Sequence, residues 1–151
     1  MTHNYKACIE DSNKHLPDLK GALLNRLLIN VVTDEFNVVY LETDKGVFAL
    51  HGKMGGEYLG VHPLPEMPVP TEQEGVMICP YPPFNGFLGQ RISQVRQIGS
   101  AWNGHGYELS FKDVLNKTMI VQSIHSGDKP DDLEDCLRLG VGHYENRWKK
   151  R

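Results

Sequence analysis

The chain has 151 residues, a net charge of −3 with histidine counted as neutral, and 40% hydrophobic residues, which predicts one soluble domain with a real core. Its three cysteines have no paired spacing, which argues against a disulfide framework or a four-cysteine zinc site and fits a reducing compartment. Without a signal-peptide pattern, a long apolar run or a basic field, we expect a cytoplasmic protein that contacts neither membrane nor nucleic acid.

The first predicted unit covers residues 19–62 and reads as three antiparallel strands. Residues 27–32 are rich in β-branched side chains, and residues 38–43 alternate apolar with polar positions. Asp44-Lys45-Gly46 is a tight-turn signal that leads into a third apolar run ending at Leu50. Short turns between consecutive strands predict a β-meander.

A proline-rich connector follows at residues 62–83 and holds seven of the nine prolines of the chain. Proline lacks a backbone N–H and fixes φ, so we expect an extended, polyproline-like segment with little strand pairing, apart from one short strand at residues 76–79. The segment could be a ligand for a proline-binding groove, but a covalent bridge between two units is the favoured interpretation.

The second unit, residues 84–127, repeats the first. Residues 84–92 match residues 19–27 at a constant offset of 65, with Gly21 against Gly86 and Arg26 against Arg91. The offset grows to 68 at Leu41/Leu109 and to 71 at Leu50/Val121, which three-residue insertions in turns would explain. A fixed-period similarity of this kind predicts a pseudo-symmetric duplication.

A hairpin is predicted inside the second unit at Asn103-Gly104, a pair that favours a type I′ turn. A two-residue turn there places Ile98 opposite Leu109, and a bulge at Gly99 would bring Val95 opposite Phe111. Residues 118–121 complete this unit as its third strand.

A C-terminal amphipathic helix is predicted at residues 129–139. Asp128 is a good N-cap, Pro130 suits the first turn, and Gly140 suits the C-terminal cap. Leu133, Cys136 and Leu137 form one apolar stripe at helical spacing. The basic residues 147–151 are expected to be a frayed tail.

The glycine-rich loop at residues 52–60 is a candidate anion site. Gly55 and Gly56 would expose backbone amides, and Lys53 would add positive charge. The loop matches neither the P-loop nor the dinucleotide fingerprint, so a mobile connection is the competing interpretation. Arg26 and Arg91 could converge on the same anion, or could form two separate ion pairs with carboxylates such as Asp34 or Glu108.

Histidines offer a third possibility, since His51 and His125 each follow the third strand of their unit and His62 lies nearby in sequence. Zinc would need three or four such ligands, and the known zinc spacings are absent. Nucleophile motifs are absent as well. Trp102, beside the predicted hairpin turn, indicates a contact surface.

We therefore expect an α+β fold dominated by antiparallel sheet, in a single domain of residues 1–151. Two three-strand meanders are joined by the proline-rich connector and followed by one helix; a continuous sheet, a sandwich and a barrel all remain open. The expected function is a non-catalytic binding or regulatory module that self-associates through a sheet edge or Trp102 and needs no cofactor. The alternatives are a protein that binds a small anion or nucleotide through Arg26, Arg91, His51, Lys53, Gly55, Gly56 and His125, and a metal-dependent enzyme.

Overall fold

The chain folds mainly into antiparallel β-sheet. The computed structural model describes residues 10, 14–32, 35–53, 58–100, 104–124 and 136–142, the last range without the side chain of Cys136. Its elements, in order, are α1 (Leu16–Leu19), β1 (Leu24–Val32), β2 (Glu35–Thr43), β3 (Gly46–Lys53), β4 (Tyr58–Leu64), β5 (Thr71–Gln73), β6 (Val76–Cys79), a 3₁₀ helix (Pro82–Phe87), β7 (Ile92–Ile98), β8 (Gly106–Phe111), β9 (Val114–Ile124) and β10 (Cys136–Val141).

The strands form two sheets that face each other. One has six strands in the order β4-β3-β2-β1-β6-β5, and the other has four in the order β10-β9-β8-β7. Strand β10 packs on β2 and β3, while β4 packs on β8 and β9. An isolated antiparallel bridge between Leu23 and Arg91 links the two sheets at one end.

A single hydrophobic core fills the space between the sheets. It takes apolar side chains from alternate positions of the strands, as expected when one face of each sheet is buried. The core residues include Leu27, Ile29, Val39, Leu41, Phe48, Leu50, Leu59, Val61, Tyr107, Leu109, Phe111, Met119, Val121 and Leu137. Short helical elements before β1 and β7 add Leu19, Phe84 and Phe87 to it.

Backbone hydrogen bonds recur 68 residues apart where the two sheets meet. The N–H of Gly21 donates to the carbonyl of Ile92, and the N–H of Gly89 donates to the carbonyl of Leu24, both at 2.7 Å. Both glycines have positive φ, +88° and +80°. Exchanging the two units therefore leaves this pair of hydrogen bonds unchanged, as an approximate two-fold axis near Leu23 would require.

Strand registers show the same spacing. Residues Leu24 and Ile92 pair with Thr43 and Phe111, and a register shift follows each pair directly. Farther along, Leu41 pairs with Leu27 and Leu109 pairs with Val95, again 68 residues apart. In β9 a three-residue bulge at 115–117 raises the spacing to 71, so that Leu50 and Val121 occupy matching places.

The residue match predicted at an offset of 65 is wrong. Gly21 lies in a turn with positive φ, whereas Gly86 lies inside the 3₁₀ helix. Arg26 lies within β1, whereas Arg91 precedes β7. The backbone hydrogen bonds align Gly21 with Gly89, an offset of 68 residues. The nine-position sequence match, at an offset of 65, therefore differs from the structural correspondence by three residues.

The predicted C-terminal helix needs a correction where it is described. Residues 129–135 lie outside the described residues, but Cys136–Val141 is strand β10, paired with β9. Leu137, Leu139 and Val141 all pack against the core, so their spacing follows the two-residue period of a strand. The tail at 147–151 lies outside the described residues.

Two smaller expectations also change. The β7–β8 connection is longer than a two-residue turn, because Ile98 pairs with Gly106 and Val95 pairs with Leu109. The proline-rich connector contributes the end of β4 and the strands β5 and β6, and β6 coincides with the predicted short strand at 76–79. Strand β6 then pairs with the last four residues of β1, so this connector is part of the six-stranded sheet.

Candidate functional site

Arg26 and Arg91, the arginines predicted to share an anion, are held by separate carboxylates. Arg26, on β1, pairs with Glu42 on the neighbouring strand β2, with 3.3 Å between Nε and Oε1. Arg91 Nη1 lies 3.3 Å from Asp44 Oδ2 and donates to the carbonyl of Gly21 at 2.7 Å. Each guanidinium is therefore used within the fold, in partnerships that differ from the carboxylates named from the sequence.

Asp44 is a structural anchor of the β2–β3 turn. Its Oδ1 accepts a hydrogen bond from the Leu23 N–H at 2.9 Å. That backbone hydrogen bond is the main cause of a lowered Asp44 carboxyl pKa, and the hydrogen bond and positive charge of Arg91 act in the same direction. Through these contacts, Asp44 connects the β2–β3 turn to Leu23, just before β1, and to Arg91, just before β7.

Of the residues predicted to bind an anion or a metal ion, only some can be placed in the structure, and two of these lie in contact. His51 and His62, on β3 and β4, stack with ring centroids 4.8 Å apart and an interplanar angle of 25°. Lys53 ends β3. Gly55, Gly56, His125 and Trp102 lie outside the described residues. Among the residues that the structure describes, no group of three or more histidine, cysteine or acidic side chains could hold a metal ion.

Glu108, named from the sequence as a possible partner of Arg26 or Arg91, is instead a buried carboxylate on the four-stranded sheet with a different partner. Glu108 is 4% exposed, and its carboxylate is bound by the guanidinium of Arg96 on β7 and by the hydroxyl of Thr118 on β9, which donates to Oε2 at 2.6 Å. Arg96 and Glu108, which carry opposite charges, lie directly opposite each other in the β7–β8 pairing. The two-residue turn predicted from the sequence gives a different register, because the β7–β8 connection is longer than that turn.

This difference in burial predicts different costs for removing the two paired arginines. Arg96→Ala should destabilise the fold by about 1–3 kcal/mol, since it leaves the buried carboxylate of Glu108 without its cation. Arg26→Ala should cost less than about 1 kcal/mol, because Glu42 is partly exposed and water can replace the lost contact. Urea denaturation of both variants measures the difference, and equal costs would contradict it.

The most deeply buried described histidine is His105, at the start of β8. It is 1% exposed, and its Nδ1 accepts a hydrogen bond from the Leu59 N–H of β4 at 2.9 Å. Its ring lies edge-on to those of Tyr58 and Tyr107. Burial lowers the pKa of His105 to about 4, so the ring is neutral at physiological pH and ties one sheet to the other.

The outer edge of β7 has no strand partner in the described part of the chain, and the same is true of the other terminal strands β4, β5 and β10. Strand β7 has β8 on one side and no strand on the other. Its seven residues include exposed polar side chains at Gln94, Arg96 and Gln97. Strand β5, which ends the six-stranded sheet, has only three residues and follows Pro70, features that discourage strand addition.

These features define the class of the protein as a two-sheet antiparallel β fold in which backbone hydrogen bonds and strand registers recur 68 residues apart, with an unpaired outer edge on β7 in the described ranges. No family model, curated protein or solved structure matches the chain. Within the described ranges, no helix has the length and apolar character needed to cross a bilayer. Function is therefore inferred from the geometry of the chain's own residues.

Proposed function

We propose that the protein is a non-catalytic binding module, built from two pseudo-symmetric β units, that self-associates through the outer edge of β7. The observation that carries the proposal is this edge, which has no strand partner among the described residues. Unpaired backbone N–H and C=O groups along a strand are a template for an added strand.

The first unit supports the proposal by showing what occupies the matching edge. There, the last four residues of β1 pair with β6 in an antiparallel ladder. The equivalent residues of the second unit, 68 positions later, are 97–100 at and just beyond the end of β7, and on this side no strand pairs with them in the described ranges. Within the described residues, the end of β7 therefore lacks the partner strand that the end of β1 has.

The sequence of β7 suits pairing with a second copy of itself. It reads Ile-Ser-Gln-Val-Arg-Gln-Ile, and an antiparallel pair centred on Val95 would place Gln94 opposite Arg96 of the second copy. No like charges then face each other, and Val95 meets Val95 across the axis. Helix α1 packs near β7, and a space of about 320 Å³ lies between Leu16, Pro17, Lys20 and Val95.

Such a dimer would be isologous, with the same edge used by both copies. One strand on each side buries little surface, so we expect a weak, concentration-dependent dimer. The non-catalytic part of the proposal is supported by the arginines, because Arg26 and Arg91 already serve Glu42 and Asp44.

A charge series at Gln94 tests the pairing register. Gln94→Glu would place a carboxylate opposite Arg96 twice in the symmetric dimer and should strengthen dimerisation about 2- to 30-fold, at about 0.2–1 kcal/mol for each cross-strand pair. Gln94→Lys would place two cations opposite each other and should weaken it by a similar factor. Sedimentation velocity over a concentration series measures both constants.

The matched control is Gln73→Lys, which adds the same charge to the exposed edge strand β5. It should leave the dimer constant unchanged. A wild-type protein that stays monomeric at every concentration would contradict self-association. Dissociation by Gln73→Lys but not by Gln94→Lys would move the interface to β5 and contradict the β7 proposal.

A further inference from the structure

The β8–β9 hairpin departs from the matching β2–β3 hairpin by a three-residue bulge. Both turns close with an equivalent pair, Thr43 with Gly46 and Phe111 with Val114. After that pair, β3 continues in register, whereas β9 inserts residues 115–117 before Thr118 meets Ser110. Bulges often redirect side chains beside binding sites, so the added residues are of interest.

A cleft of about 400 Å³ opens beside this bulge. The 3₁₀ helix supplies Pro83, Gly86 and Phe87 to its wall, and Val141 from the end of β10 closes another side. Its volume lies in the lower part of the roughly 300–1,000 Å³ range of small-molecule sites. The wall is mainly apolar, so it suits a compact apolar group.

The bulge adds an exposed apolar side chain and two charges to the rim of the cleft. Leu115 is 81% exposed, more than any other large apolar side chain in the described ranges. Asp113 and Lys117, two residues before and two after Leu115 in sequence, also line the cleft. Among the described residues neither charge takes part in an ion pair or hydrogen bond.

We propose that this cleft binds a small zwitterionic ligand with an apolar side chain, of the amino-acid or dipeptide class. The apolar side chain would lie against Phe87 and Val141 and be covered by Leu115. The ligand ammonium would face Asp113 and its carboxylate would face Lys117. This assignment gives each of the two rim charges a partner on the ligand, which a purely apolar ligand would not.

The test is a calorimetric and NMR titration of the full chain with free leucine, free phenylalanine and leucyl-phenylalanine. We expect binding in the micromolar-to-millimolar range and amide shifts centred on the bulge and the 3₁₀ helix. N-acetylation or C-terminal amidation of leucyl-phenylalanine should each weaken binding about two- to five-fold, the effect of losing one exposed charge pair. Asp113→Asn should remove the penalty for acetylation alone, and Lys117→Gln the penalty for amidation alone.

A cleft-filling variant gives an independent check. A Cβ on Gly86 would meet no atom within 4 Å, so Gly86→Leu should fold normally while its side chain occupies the cleft and abolishes binding. Asn85→Leu is the matched control, because it adds the same side chain one residue away, outside the cleft lining, and should leave binding unchanged.

Absence of binding by all three probes would overturn the proposal, and so would unchanged affinity in folded Gly86→Leu. These outcomes are separate from those for the β7 edge, since ligand titration and oligomeric state are different readouts. A protein that dimerises without binding any probe would retain the proposed function and lose only this site.

Discussion

Gly106→Ala should destabilise the fold by about 3 kcal/mol or more. A Cβ at this position would lie 2.0 Å from the carbonyl oxygen of Val121 and 2.6 Å from the Cα of Gln122. Both atoms belong to the backbone of β9, which is paired with β8 here and cannot move away without breaking the ladder. Overpacking against flexible side chains costs about 1–3 kcal/mol, and a rigid backbone neighbour raises that cost.

Equilibrium urea denaturation of wild type and variant measures the change in unfolding free energy. The matched control is Gly86→Ala, whose Cβ would have no neighbour within 4 Å and which should stay within about 0.5 kcal/mol of wild type. A loss below about 1 kcal/mol in Gly106→Ala would mean that β8 and β9 are not as closely apposed as the structure shows.

Acidification should destabilise the protein through His105. Its pKa is 6.5 in the unfolded chain and about 4 in the fold, so the unfolded state binds the proton first as the pH falls. The stability contributed by neutral His105 is complete above pH 6.5 and is lost progressively as the pH falls to about 4. A difference of this size corresponds to about 3 kcal/mol.

The structural reason is the hydrogen bond between the two sheets. Nδ1 of His105 accepts from the Leu59 N–H, so the neutral ring carries its hydrogen on Nε2, for which no acceptor occurs among the described residues. Protonation would place a second hydrogen on Nδ1, facing the Leu59 donor, inside a site bordered by Tyr58 and Tyr107. The link between β4 and β8 would then be lost.

The measurement is the unfolding free energy at intervals between neutral pH and about pH 4. His105→Gln removes the titrating ring, so its stability should fall much less across this window even if it starts lower than wild type. The other histidines are common to both proteins, and the difference between the two pH profiles therefore isolates His105. Parallel profiles would contradict this assignment.

The strand positions were largely predictable because they depend on local pattern. Alternating apolar side chains at residues 38–43 and β-branched residues at 27–32 correspond to β2 and β1, and the Asp44-Lys45-Gly46 signal corresponds to the turn before β3. The short strand β6 was visible for the same reason. In each case neighbouring residues carry the information, through a two-residue period or turn-forming glycine.

The end of the predicted helix, residues 136–139, shows where local signals misled. Asp128, Pro130 and Gly140 favour a helix with caps, but Leu137, Leu139 and Val141 have the spacing of a strand and pair with β9. Short apolar segments fit both periods, and the partner strand decides between them. The candidate site was harder still, because the carboxylate that meets each arginine depends on strand register and bulges.

The sequence by itself determined that this chain is mainly antiparallel strand, since side-chain alternation and turn residues act over a few positions. Tertiary structure decided the two-sheet arrangement, the 68-residue correspondence between Gly21 and Gly89, the burial of Glu108 and His105, and the open edge of β7. Those features arise from contacts between residues distant in sequence. A one-residue change in register would exchange the buried and exposed faces of a strand, so only the folded core selects among the registers.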